Sequence, residues 1–165
     1  MVSITKVLTD GALLSLLVFL LTLIGVRINP RIFLHTYPKD IRDSVEPNTR
    51  AETRLSRVFG IAILLLVLAV PLISTWILKQ QMPGDISFVP LFLNAIGVIF
   101  FFNFVDLILD CVLVCMTPSF LVLPGTEGMA GYKYYTHHFR GFLIGTIASA
   151  VLGLVIAAVV SFVDG

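Results

Sequence analysis

Residues 141–163 read GFLIGTIASAVLGLVIAAVVSFV, 23 positions without a charge. As a helix rising 1.5 Å per residue, such a run crosses a hydrocarbon core of about 30 Å and satisfies its backbone groups internally, as lipid requires. A membrane-spanning helix is therefore expected here. Working outward, charge-free windows recur at 11–26, 58–78 and 86–105. The last two are long enough outright, and the first becomes so if Leu8 and Thr9 extend it and Asp10 sits at the interface. The spacing predicts an all-α, polytopic membrane protein: a single membrane domain with transmembrane helices over about 8–26, 52–78, 87–116 and 141–163. Loops 27–51 and 117–140 would join them into a compact four-helix bundle.

Composition agrees. Of 165 residues 58% are hydrophobic and 13% charged, where soluble domains carry roughly 45–50% and 25%. A net charge of +1 gives no domain-wide basic surface to neutralise phosphates, which argues against nucleic acid as a partner. The lipid bilayer is the expected surrounding. Cys111 and Cys115 lie four apart in an apolar run and are expected to be reduced and packed.

Lysines and arginines set the expected orientation. Arg27, Arg31, Lys39, Arg42, Arg50, Arg54 and Arg57 fall in the first loop or just beyond it, and Lys133 and Arg140 share their side; Lys6 and Lys79 fall on the other. This bias puts both long loops in the cytoplasm and both termini outside; a plasma membrane is the location expected from the chain's small size and compactness. Positive charge follows the first apolar stretch instead of preceding it, so the first helix is expected to be retained rather than cleaved as a signal peptide.

The loops carry ordered signals. Asn29-Pro30, Tyr37-Pro38 and Glu46-Pro47 bias their first residues toward extended geometry. Pro38 could open a short helix at its first position, and Thr49-Arg50-Ala51-Glu52 matches a capping box that would start the second long helix near Arg50. Arg50, Arg54 and Arg57 would then face lipid phosphates or an anionic substrate. A tight turn is expected around Met82-Pro83-Gly84, with Trp76 as an interfacial anchor. Thr117-Pro118 should stop the third helix. Phe120 to Leu123 would lie at the interface or form a strand-like segment, and Gly125, Gly128 and Gly131 would allow a turn able to offer amides to an anion. Tyr132, Tyr134, Tyr135 and Phe139 suit an interfacial aromatic belt.

In the fourth helix Gly141, Gly145, Ser149, Gly153, Ala157 and Ser161 recur at every fourth position. Small residues at this spacing let helices approach closely in lipid. Because a four-residue row drifts about 40° per step, it suits a crossing partner, either within the bundle or at a subunit interface.

The candidate polar site centres on Asn103, Asp106 and Asp110, whose i, i+3, i+7 spacing puts them on one helical face. Counting from Ser87, Asp106 lies about 28 Å along the helix, which places both acids at the inner edge of the hydrocarbon. Carboxylates there face the bundle interior and find partners. His137, His138 and Arg140 from the third loop, and Arg27, Arg31 and His35 from the first, reach the same level. The acids could pair with Arg27, Arg31 or Arg140 to lock the bundle, or hold a divalent cation with one histidine. Adjacent His137 and His138 would point about 100° apart on a helix, so they would not share one metal.

Residues 103–110, Asn-Phe-Val-Asp-Leu-Ile-Leu-Asp, resemble the N-x-x-D-x-x-x-D core with which intramembrane prenyltransferases use magnesium to hold a diphosphate. The resemblance implies a magnesium ion at Asp106 and Asp110 and a prenyl diphosphate substrate. It covers eight residues, and Phe104 stands where that family often has an acid. The larger bundle and second aspartate motif of that family have no counterpart in this sequence.

Three function classes follow. The first is a small transport or ion-conducting component with an acidic site at the cytoplasmic membrane face, completed by a homo-oligomer or a membrane partner subunit. The second is a membrane enzyme acting on a lipid or isoprenoid phosphate, with arginines clamping phosphate and a histidine moving protons. The third is a non-catalytic assembly or regulatory subunit. The acids on one face of a polytopic bundle favour the first.

Overall fold

A computed structural model describes residues 2–82 and 87–163. Beyond Met82, the expected Met82-Pro83-Gly84 turn lies outside them. Among the described residues every regular element is helical. Four helices are long and apolar enough to cross a membrane: α1 (Ile4–Ile28), α3 (Arg50–Gln81), α4 (Phe88–Met116) and α5 (Tyr135–Phe162). The short helix α2 (Lys39–Asp43) lies in the first loop. This is a small integral membrane protein built as a four-helix bundle.

Helix ends follow local chemistry more than hydropathy. Ser3 caps α1, and Lys6 pairs with Asp10 one turn on at 2.7 Å, so the helix starts at Ile4 rather than near residue 8. At its far end Asn29 donates its amide to the Gly25 carbonyl and accepts the Arg31 amide with its side chain, which opens a 3-10 turn over Pro30–Thr36. The capping box starts α3 as its sequence implies: Thr49 accepts the Glu52 amide, and the Glu52 carboxylate accepts the Thr49 amide at 2.8 Å. Pro38 stands at the cap of α2, one position before the helix. α3 continues through the buried Pro71.

α4 stops at Thr117, which adopts the left-handed region (φ 43°) and sends its amide to Leu113 at 2.7 Å. A β-branched residue is strained there. Lys133 reaches back to donate to the carbonyls of Val114 and Cys115, both at 2.9 Å, so a cation caps the negative end of α4. Lys79 does the same for α5, donating to the carbonyls of Val160 (3.1 Å) and Val163 (2.7 Å). α5 begins at Tyr135, not 141, so His137, His138 and Arg140 are helical rather than part of a loop. A helix does not stop where lipid does; its backbone bonds continue until the chain turns.

α4 touches all three other long helices. Toward the end of the bundle where the short α3–α4 connection lies, Leu91, Ala95 and Ile99 of α4 pack on Ile156, Ala157 and Val160 of α5, with Val67 and Trp76 of α3 against them. Trp76, expected as an interfacial anchor, thus packs against the core. In the middle, Leu14 and Val18 of α1 meet Val98 of α4 and Ile63 and Leu66 of α3. At the end carrying the two long loops, Val26, Ile32, Phe33 and Phe59 form a third cluster that takes in Phe120 and Leu121.

The two long loops clasp each other. Leu34, Ile41 and Leu123 are buried together, and the Tyr37 hydroxyl donates to the Leu121 carbonyl at 2.9 Å. The segment around Phe120 is a single 3-10 turn (Ser119–Leu121), not a strand. Gly125 and Gly128 adopt positive φ, as a tight turn requires, and the Gly125 amide donates to Glu127 of the same turn. Tyr132 turns inward and hydrogen-bonds the Leu123 amide, while Tyr134, Tyr135 and Phe139 stay exposed as a belt would. Cys111 is half-buried and Cys115, on the last turn of α4, is exposed, so the second thiol is not packed.

Candidate functional site

At the long-loop end the four helices do not close on one another. A cavity of about 600 Å³ lies among α1, α3, α4 and α5, under the first and third loops. α4 contributes Asn103, Asp106 and Asp110; α5 contributes His137, His138 and Gly141; and the first loop contributes His35, Thr36 and Tyr37. A smaller cavity of about 130 Å³ on the α1 side is also lined by Asp106 and Asp110, together with Ser15 and Thr22. The two acids therefore form part of the wall between the two spaces.

The polar side chains differ in their bonding. Asn103 is buried against α5, where its amide group donates to the Phe142 carbonyl (3.1 Å) and the Thr146 hydroxyl (3.2 Å). Gly145 makes this seat possible, since a Cβ there would collide with the Asn103 side chain. Asp110 accepts from His138 Nδ1 at 2.7 Å. With Asp110 ionised, Nδ1 carries the hydrogen and the ring's other nitrogen is set by that choice of tautomer. His137 Nε2 meets the Thr36 carbonyl at 2.8 Å and ties α5 to the first loop. Asp106 is exposed and forms no ion pair among the described residues.

The expected arginine partners are engaged elsewhere. Arg31 pairs with Glu52 at 2.9 Å and donates to the Glu46 carbonyl. The Arg27 guanidinium sits 4.9 Å from the Phe120 ring centre, a cation–π contact. Arg140 is exposed and does not line the cavity. Arg27 and Arg31 have local partners that sequence spacing does not reveal. The described lining consequently contains two aspartates and three histidines, with neither lysine nor arginine. Among the described residues no group of three His, Cys, Asp or Glu side chains is gathered as a metal would need, so Asp106 and Asp110 stand with one histidine contact between them and no third ligand.

A second polar network was missed by sequence reasoning. At the opposite end of the bundle, Ser74 donates to Asp10 at 2.6 Å, and Asn94 donates to Ser74 (3.0 Å) and Thr75 (3.1 Å). This joins α1, α3 and α4 through the buried Ser74, Thr75 and Asn94 and the half-buried Asp10. The signal was available: Asn94 interrupts its apolar window just as Asn103 does. The apolar layer of Leu14, Val18 and Val98 separates the two polar regions.

The class these features define is a four-span helical membrane protein with an acid- and histidine-lined cavity at its long-loop end. No protein-family model, curated protein or solved structure matches the chain. The likeness to the prenyltransferase core thus remains confined to residues 103–110.

Proposed function

We propose that the chain is a small transport or ion-conducting component that binds a cation at Asp106 and Asp110. The observation that carries this reading is the pair of carboxylates lining a 600 Å³ cavity whose described walls hold no basic side chain other than histidine. Two carboxylates about one turn apart at the edge of an apolar span are unfavourable until a cation or donor meets them. His138, bonded to Asp110, supplies a group able to take up a proton when the cation leaves. In this reading the long-loop end faces the cytoplasm of the plasma membrane, and the apolar layer separating the two polar regions is the barrier that a second copy or a membrane partner subunit helps to open.

In proteoliposomes, cation-driven dissipation of an imposed pH gradient is expected, and Asp106→Asn or Asp110→Asn should slow it about tenfold or more, as loss of a charge-assisted contact does. Unchanged flux in both variants overturns the proposal. Loss of folded yield in both assigns the acids to bundle locking instead. A second reading, a membrane enzyme, draws on the His138–Asp110 pair, which is how a general base is held. Arg31 and Arg27, engaged with Glu52 and the Phe120 ring, give it no support, and no arginine lines the described cavity.

A further inference from the structure

We infer that the cavity is loaded sideways from the bilayer, through a gap between α3 and α5 framed by Gly60 and Gly141, and that its occupant is a membrane-dissolved amphiphile with a basic nitrogen. This rests on the reading of Asp106 and Asp110 as a cation-binding pair and adds the route and the chemical class.

Gly60 and Gly141 both line the cavity and both are exposed, and a Cβ placed on either meets nothing within 4 Å. A residue that touches the cavity and the surroundings at once marks an opening. Its level is set by the sequence: Gly60 follows Arg57 by three residues, and Gly141 follows Arg140 directly, each at the margin of a charge-free span. Those arginines belong beside lipid phosphates. The opening therefore sits where headgroups give way to acyl chains.

On the solvent side the loops are tied across the cavity mouth, where His35, Thr36 and His137 also line it and are exposed. Tyr37 bonds Leu121, its ring stands edge-on to Tyr132 with centroids 6.2 Å apart, and His137 meets Thr36. What joins α3 to α5 lies at the other end, where Lys79 caps α5 and Trp76 packs against the α4–α5 cluster. In its first turns α5 is held by α4 and the first loop through His138, Phe142 and His137. Nothing in those bonds bridges to α3.

The walls define the occupant. Val18, Ile63, Phe102, Leu107 and Phe142 offer an apolar surface to an alkyl or aryl body, and the volume lies within the range of roughly 300–1,000 Å³ that suits a small organic ligand. Asp106 and Asp110 select the head. A protonated amine gains charge-assisted hydrogen bonds there, whereas a phosphate would meet two carboxylates.

The test uses the full chain in liposomes doped with dodecylamine, dodecanol or dodecyl phosphate, followed by native mass spectrometry of the released protein. Saturable retention of dodecylamine is expected, with dodecanol about tenfold weaker or less and dodecyl phosphate absent. Asp106→Asn should lower amine retention by a similar factor. Equal retention of amine and alcohol overturns the assigned class. For the route, Gly60→Leu with Gly141→Leu should slow loading from the bilayer, and Gly60→Ala with Gly141→Ala, which favours the helix, should slow it less. Unaltered loading in the folded leucine variant overturns the lateral entry. Cation-driven flux without amine retention overturns this inference and leaves the transport proposal standing. Amine retention without any flux does the reverse.

Discussion

The Tyr37 hydroxyl joins the first loop to the third with one hydrogen bond, and burial, aided by the nearby Tyr132, pushes its pKa above the ordinary tyrosine value. The sign of the pH dependence follows. A phenol whose folded-state pKa is raised favours the protonated form on folding. Its contribution is fully present below the unfolded value of about 10 and is lost as pH rises toward the folded value. Chemical denaturation in detergent is therefore expected to show falling stability above that value, with a smaller fall in Tyr37→Phe; the variant itself should lose about 1 kcal/mol at neutral pH. Equal alkaline sensitivity of the two proteins would contradict the assignment. At this scale the sequence was partly legible. Asn103, Asp106 and Asp110 announce themselves because polar groups in an apolar run need a reason, and helical spacing placed them on one face. The partners of Arg27 and Arg31 were not legible, because Phe120 and Glu52 are brought to them by loop geometry that no local spacing encodes. Tyr132 read as a belt residue for the same reason: its inward turn depends on the Leu123 amide offered by a neighbouring turn.

Among the elements, α5 shows how a periodic pattern maps onto packing. Its four-residue row was plain in the sequence, and so was its drift of about 40° per step, which over five steps turns it roughly 200° around the helix. A row that winds so far cannot keep one partner. Gly145, Ser149, Gly153 and Ala157 lie against α4 or are buried beside it, while Gly141 has left the interface and faces the cavity. The two ends of the pattern should respond oppositely to the same change. At Gly153 a Cβ would stand 3.0–3.1 Å from Ile96, two of the three contacts being backbone atoms that cannot rotate away. Gly153→Ala is expected to cost about 1–3 kcal/mol, while Gly141→Ala should be neutral or stabilising by up to about 1 kcal/mol. Titrating helicity with SDS separates the two, and equal losses would show that the row does not discriminate its faces. What hydropathy missed in α5 was its start. Charge marks the edge of lipid, but the helix runs six residues further toward the loop and thereby carries both histidines beneath the first loop.

For the molecule as a whole, four helices and their approximate spans were readable because lipid imposes a length and forbids unpaired backbone. The cavity was not, since it arises where helices fail to meet. The loops above it depend on partners far apart in the chain: Tyr37 with Leu121, Ser44 with Met129 and Thr36 with His137, at separations of 84, 85 and 101 residues. Contacts of that range form only after the intervening segments are in place. A biogenetic order is thereby written into the chain. Membrane insertion of the early helices leaves the first loop open to protease, and arrival of the third loop shuts it through Leu121, Leu123 and Met129, before the last helix adds His137. A polypeptide stopped at Met116 should accordingly be cut between α1 and α3 at a concentration of trypsin that spares the full-length protein, and matching digestion of the two would mean the first loop folds without the third.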